Sequence, residues 1–286
     1  MRSRAFTLVE MLVVVAVVGI LIGILLPTLG GARESARTAV CVSNMRQLGV
    51  AHGLFMQAND GQIIDVGLSH GGVGNASGAW VNTLQRYLGD PLNVRCPEDR
   101  SPHFLPDEIT QYDVDNGDFG GATPVPGSTD RFRRTSYGAN NLISDSAGLD
   151  QQTSDLRTYF NNIDRIRRPA AIVAFFELAE TGEFAGSDHA HVEQWSLPGV
   201  PVPPTFAISQ ALRNAELHQH GGVPRKGLRG VDAVRDQATP APSDDVLSLF
   251  FDARSNYAFL DGSVRTAEFQ EVYTDVERNL FDPSLQ

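Results

Sequence analysis

The residue whose placement most needs a chemical reason is Glu10, one acid just ahead of an uncharged stretch running from Met11 to Leu26, behind Arg2 and Arg4. At the centre of a helix in lipid a carboxylate costs about 2.5 to 3.5 kcal/mol on insertion scales. A group kept at that cost suggests a function. Other side chains have the types for metal chemistry. Asp113, Asp115 and Asp118, with Asn116, set oxygen ligands at short spacing, but Gly117 and Asp118 are reversed from EF-hand order and Pro124 stands where the twelfth-position glutamate belongs. A solvated turn is the simpler expectation. Asp188, His189, His191 and Glu193, with His218 and His220, are of types that bind zinc, yet alternating His-x-His also suits a polar strand or loop. The chain has no G-x-S-x-G, no H-E-x-x-H and no phosphate-cradling glycine loop before a helix. It is therefore expected not to be an enzyme and to need no cofactor, calcium being the ion its acids best allow.

Composition narrows the partners. The 286 residues carry a net charge of -11, with basic residues scattered, which argues against nucleic acid. The length allows one elaborated domain after the N-terminal segment. Arg2 and Arg4 would hold the N-terminus in the cytoplasm by the positive-inside rule. Everything beyond Leu26 then faces the exoplasmic side, an oxidising compartment in which Cys41 and Cys96, the only two cysteines, are expected to crosslink. Two buried thiols are the alternative, because sequence does not give the distance between their Cα atoms.

The elements that position these groups follow the hydrophobic pattern. Phe6 to Leu26 has about the 20 residues a helix needs to cross a bilayer. Gly19 and Gly23 form a G-x-x-x-G pair that permits close helix approach, or are simply two tolerated small residues. Pro27 deprives the Gly23 carbonyl of its helical partner, so the turn from Gly23 to Pro27 is expected to kink or locally melt. An ordinary secretory signal fits less well: Glu10 interrupts the apolar region, and Leu29-Gly30-Gly31-Ala32 is a poor cleavage site. Past Pro27, Ala32, Ala36, Val40, Leu48, Ala51 and Phe55 recur at helical spacing, predicting an amphipathic continuation to about Ala58, closed by Asn59-Asp60-Gly61. Such a spine is roughly 80 Å long. Strands are predicted at Gln62 to Val66, Ser136 to Ile143 and Ala171 to Glu177, the last being apolar throughout and so central. Trp80 to Leu88 reads as a helix and Arg100 to Thr135 as mostly loop. Asn256 to Leu260 and Ser263 to Phe269 flank Asp261-Gly262, a hairpin with a turn suited to type I′. The class is α+β: a long helix packed on antiparallel sheet, with long loop insertions.

Ala5-Phe6-Thr7-Leu8-Val9-Glu10, the apolar run and Pro27 resemble the class III signal of type IV pilins and type II secretion pseudopilins. The resemblance implies that a prepilin peptidase cuts between Ala5 and Phe6 and methylates the new N-terminus. Residues 1–5 are then a leader, 6–28 a transmembrane and assembly helix, and 29–286 the amphipathic helix with an exoplasmic pilin-like domain. The family usually has glycine before the cut, where this chain has Ala5. It also assigns Glu10 the neutralisation of the Phe6 ammonium, in its own or a neighbouring chain, inside a helix bundle where an unpaired charge is expensive. Implied partners are the peptidase/methyltransferase, other pilin or pseudopilin subunits, an inner-membrane assembly platform and the lipid bilayer.

Further stretches resemble a pseudopilin-like family with an H-x9-D-G carboxy-terminal motif: Cys41, Asn44-Met45-Arg46-Gln47-Leu48-Gly49, Cys96-Pro97-Glu98-Asp99, Ser136-Tyr137-Gly138-Ala139-Asn140 and Phe259-Leu260-Asp261-Gly262-Ser263-Val264. Phe251 stands where that motif has His; His220-Gly221-Gly222 resembles its opening, as though an insertion had split it from Asp261 and Gly262. Two functions follow as expectations. One is a filament subunit in the inner membrane, then in a pilus or pseudopilus. The other is a membrane-tethered ligand-binding module that keeps the helix only as an anchor.

Overall fold

The computed structural model describes residues 8–66, 80–88, 92–106, 108–125, 132–133, 135–144, 160–178, 180, 189–190, 254–275 and 277–286. Its spine is α1, Leu8–Ala58, 51 residues and about 75 Å at 1.5 Å per residue. The helix is unbroken from Gly23 through Pro27, so the expected local melting is not found. One missing hydrogen bond weakens that turn, but the turns on either side keep theirs.

Only the upper third of α1 is covered. Cys41, Asn44, Met45, Leu48, Ala51, His52 and Met56 are buried and recur every three or four residues, one face of the helix. The sequence expectation began that face at Ala32, Ala36 and Val40. Those three are exposed; at this level the domain meets other faces of the helix, where Thr38 is half-buried and Glu98 pairs with Arg37.

The face packs on a five-stranded sheet: β1 Tyr137–Asn140, β2 Val173–Glu177, β3 His189–Ala190, β4 Arg254–Phe259 and β5 Val264–Glu268, in the order β3-β1-β2-β4-β5. β1, β2, β4 and β5 are antiparallel, and β3 adds a two-residue parallel edge to β1. β2 is central, as its unbroken apolar run implies. A register shift between Val173 and Phe175 lets Ala174 and Phe175 both join the helix-side core. Phe176, Tyr257 and Phe259 are buried as well, and Phe176 meets Phe281 edge to face. The sheet is therefore covered twice: the C-terminal segment, α4 (Phe269–Val272), β6 (Tyr273–Asp275) and β7 (Arg278–Asn279), ties back through the Val173 amide, which donates to the Leu280 carbonyl at 2.7 Å.

Three local readings need correction. Gln62 to Val66 is no strand: Gln62 forms one isolated bridge to Asn162, Ile63 N–H donates to the Asn161 carbonyl at 2.7 Å, and the amides of Ile64 and Val66 find side chains. Ile64 N–H donates to His52 Nε2 at 3.2 Å and Val66 N–H to Ser144 Oγ at 3.0 Å. Ser136 to Ile143 is strand only over β1, then a 3-10 turn from Asn141. The hairpin turn is not type I′, since Asp261 lacks the positive φ that type requires at both central positions. Gly262 N–H donates to the Phe259 carbonyl, Phe259 N–H to the Ser263 carbonyl, and only Gly262 (φ 83°) is left-handed: a three-residue loop ending in glycine. α2 (Trp80–Leu84) with its 3-10 extension to Tyr87 matches expectation, and the long loop after Arg100 contains one short helix, α3 (Gln111–Asp115).

Candidate assembly surface and its anchorage

The lower stem presents the surface. Leu8–Leu25 has a mean hydropathy of 3.0, with none of it buried, and is long and apolar enough to cross a membrane. Glu10 sits exposed in the first turn of α1. A Cβ placed on Gly19 or Gly23 would meet no other atom within 4 Å, so both leave room for a second helix backbone to approach. Pro27 lies within the helix. Ala5 and Phe6 fall outside the described residues.

The anchorage begins where the stem ends. Cys41 and Cys96 form a disulfide, S–S 2.02 Å with Cα atoms 5.0 Å apart, joining α1 to the loop before the sheet. Beside it Asn44 Nδ2 donates to the Arg95 carbonyl (3.1 Å) and to the Tyr137 hydroxyl (3.2 Å). Glu98 pairs with Arg37 at 3.4 Å. Asp99 holds a fully buried ion pair with Arg133 at 2.8 Å and accepts from Ser136 Oγ at 2.6 Å, while Ser136 Oγ accepts from Cys96 N–H. Arg133 also donates to the Leu178 carbonyl, so the buried pair is hydrogen-bonded to the end of the central strand β2. Burial lowers the Arg133 pKa and the Asp99 charge opposes that shift. Burial first, then the Glu177 carboxylate, raises the Tyr137 phenol far above its usual range, which keeps it a neutral hydroxyl for Asn44.

Higher up, Gly49 meets the hairpin turn. A Cβ on Gly49 would lie 3.2 Å from both Gly262 Cα and Gly262 O, a backbone-on-backbone contact that only glycine allows without displacement. The Asp261-Gly262 turn thus seats directly on the Asn44 to Gly49 stretch of α1. Gly138 is equally restricted: a Cβ there would come within 2.5 Å of Leu178 Cδ2. Asn140 Nδ2 donates to the carbonyls of Val173 and Phe281, linking β1 to both β2 and the C-terminus. Four stretches far apart in sequence converge on one seam between helix and sheet.

Sequence reasoning missed three buried groups in or beside that seam. Glu177, fully buried, accepts from Ser255 Oγ (2.7 Å), Asn256 Nδ2 (3.0 Å) and Asn256 N–H (3.2 Å). Arg133 is the buried partner of Asp99. His52 sits edge-on to Phe175, and desolvation alone drives its pKa down to about 3, so it is a neutral acceptor for Ile64 N–H. The available signal was weak: a histidine on the apolar face of a predicted amphipathic helix.

The metal candidates divide. Asp113 caps α3, accepting from Thr110 N–H, and the Thr110 hydroxyl hydrogen bond leads in lowering its pKa. Asp118 accepts from Gly120 N–H. Among the described residues, the one group of at least three His, Cys, Asp or Glu ligand atoms mutually within 4.8 Å is Cys41, Cys96 and Glu177, whose sulfurs are already bonded to each other. Asp113, Asp115 and Asp118 therefore do not converge as a ligand set. His189 lies on edge strand β3; Asp188, His191, Glu193, His218 and His220 lie outside the described residues, so the relation of His220 to Asp261 is not addressed.

The comparison that bears on the stem concerns the same residues. A family model described as the prokaryotic N-terminal methylation motif matches residues 1–26. The N-terminus is a prepilin-type methylation motif. The apolar helix that follows it is consistent with a type IV pilin-like protein, and its long helix with an antiparallel sheet fits the α+β pilin-like fold. Such a motif marks a structural family and implies processing by a peptidase and assembly with other pilin subunits. One N-terminal apolar helix fits a single-pass membrane anchor. No curated protein and no solved structure matches the chain.

Proposed function

We propose that this chain is a structural, non-enzymatic subunit of a type II secretion pseudopilus or type IV pilus-like filament, released from its leader between Ala5 and Phe6 and assembled through α1. One observation carries the reading: the methylation motif leads into a helix whose lower part is apolar and wholly uncovered, although its upper third is firmly packed. In a monomer outside lipid that surface is a liability. In the membrane, and then in a bundle of like helices, it is satisfied. Glu10 offsets the methylated Phe6 ammonium as helices pack, and Gly19 and Gly23 set their closest approach. The disulfide is in keeping with a domain on the exoplasmic face.

Mass spectrometry of the mature N-terminus is the test. A chain beginning at methylated Phe6 is expected; a chain beginning at Met1, or after Gly31, sinks the pathway. Glu10→Leu then separates filament from anchor. Membrane insertion should persist and incorporation into an assembly should fail; unaltered incorporation would remove the role given to Glu10, and no assembly by the unaltered chain would leave a membrane-tethered binding module.

A further inference from the structure

Outside α1, the one exposed large hydrophobic among the described residues is Tyr112, 75% exposed on α3. It is set among exposed acids, Glu108, Asp115 and Asp118. Asp113 and Asp118 are engaged in capping and turn bonds, which hold this knob in shape. Tyrosine presents a large rigid contact area with little rotamer freedom to lose, and carboxylates and an aromatic face are together the chemistry that receives arginine.

The same chain carries such arginines elsewhere. Arg165, Arg167, Arg168 and Arg265 are exposed along the segment before β2 and the start of β5. Arg265 is fixed over the Phe259 ring at 3.7 Å and donates to the Ala170 carbonyl at 2.8 Å, which brings both segments into one ridge. Among the described residues, Asp60, Asp164, Asp261 and Glu268 are acids on the same or adjoining segments, and Asp261 accepts from Ser263. In a chain of net charge -11, four arginines in one ridge stand out against the surrounding field.

The two segments are tethered at different levels of the covered part of α1. The ridge is tied to its upper end: Ile163 N–H donates to the Gly61 carbonyl, and the hairpin turn beside Arg265 rests on Gly49. That places it about 12 to 26 Å beyond Cys41 along the helix at 1.5 Å per residue. The segment carrying Tyr112 is anchored at the lower end of that covered part, through Thr123 N–H to the Pro102 carbonyl, Arg133 N–H to the His103 carbonyl, and the Asp99–Arg133 pair beside Cys96. We propose that the arginine ridge of one copy receives the acidic Tyr112 knob of the next, a head-to-tail contact between identical chains. Unlike surfaces offset along one axis generate an open, helical series rather than a closed dimer. The contact rests on the filament reading and adds to it a specific electrostatic join in the head domains, which also relieves repulsion between copies of an acidic chain.

A charge-swap experiment on the full-length, membrane-expressed chain tests it, reading the assembled fraction. Arg167→Glu with Arg168→Glu, or Glu108→Lys with Asp115→Lys, should each lower assembly at least about tenfold through like-charge contact, while N-terminal processing and membrane insertion stay unchanged. Combining the two reversals should restore assembly. Arg168→Cys with Asp115→Cys in one chain should give an oxidant-dependent ladder of multimers, whereas either change alone should stop at dimers. Assembly that ignores both reversals, or is not rescued by their combination, overturns this contact and leaves the stem-based filament standing. Failure of the unaltered chain to assemble overturns the filament reading and the contact with it. Rescue of a reversal only by a different protein present in the assembly would show that the ridge serves another partner and also overturns the contact.

Discussion

One helix meets two different demands along its length. From Leu8 to Leu25, α1 is apolar on every side and uncovered; from Cys41 to Met56 it is apolar on one side and sealed against a sheet. The lower part carries two glycines with open space around them, whereas Gly49 in the upper part has no space at all. The contrast shows that glycine and burial mean different things in the two halves. Below, small residues and bare surface lie outside the fold of the head; above, the same residue types are spent on the fit of helix to sheet within one chain.

Changes to the upper half should therefore alter folding, and changes to the stem should not. The largest effect is expected from Cys41→Ser with Cys96→Ser. Releasing a crosslink that spans 55 residues of chain removes about 4 kcal/mol on the loop-entropy estimate, measurable as a lower denaturation midpoint. A smaller loss would mean that the Asn44, Glu98 and Asp99 contacts hold the seam without it.

Next comes acid. The folded His52 pKa of about 3 lies below the ordinary histidine value of 6.5, so the unfolded chain binds the extra proton more readily. The stability from keeping His52 neutral is complete above pH 6.5 and falls as pH drops from 6.5 toward 3, at up to about 1.4 kcal/mol per pH unit. His52→Gln, which keeps an acceptor for Ile64 N–H, should flatten that part of the pH profile. An unchanged slope would place the acid sensitivity elsewhere.

The glycines give the sharpest pair. Gly49→Val should cost about 1 to 3 kcal/mol by pushing the helix off the Gly262 turn. Gly53→Ala, where an added Cβ meets nothing, should stabilise by up to about 1 kcal/mol through helix propensity. The smallest effect on folding belongs to the stem: Glu10→Leu should leave the unfolding of the head unchanged while abolishing assembly. A stem change that shifted head stability would break the division between the halves.

Much of this was legible in the residues. The long helix, the central β2 and the terminal hairpin follow from hydrophobic period and turn chemistry, which act locally. The stem was legible for the same reason: a methylation motif and an apolar run are contiguous signals. Where reasoning slipped, a distant partner had intervened. Ala32, Ala36 and Val40 have the spacing of a buried face, but the domain does not cover them. Gln62 to Val66 has strand composition, but His52 and Ser144 take two of its amides, those of Ile64 and Val66. Asp261-Gly262 has the sequence of a two-residue turn; the bonds from Phe259 made it a three-residue one. Asp113, expected in a solvated turn, is the N3 member of a capping box with Thr110.

By itself the sequence determined the order of elements, the membrane-length stem with its single acid, the processing motif and the two cysteines. Those depend on side-chain type at short spacing, which the chain states outright. Only the tertiary structure decided where coverage of α1 begins, that Glu177 and His52 are buried, that Asp99 pairs with Arg133, and that Gly49 and Gly262 touch. The physical reason is that burial and close contact are properties of pairs: a residue's partner across 213 positions, as for Gly49 and Gly262, leaves no trace in the local pattern of either.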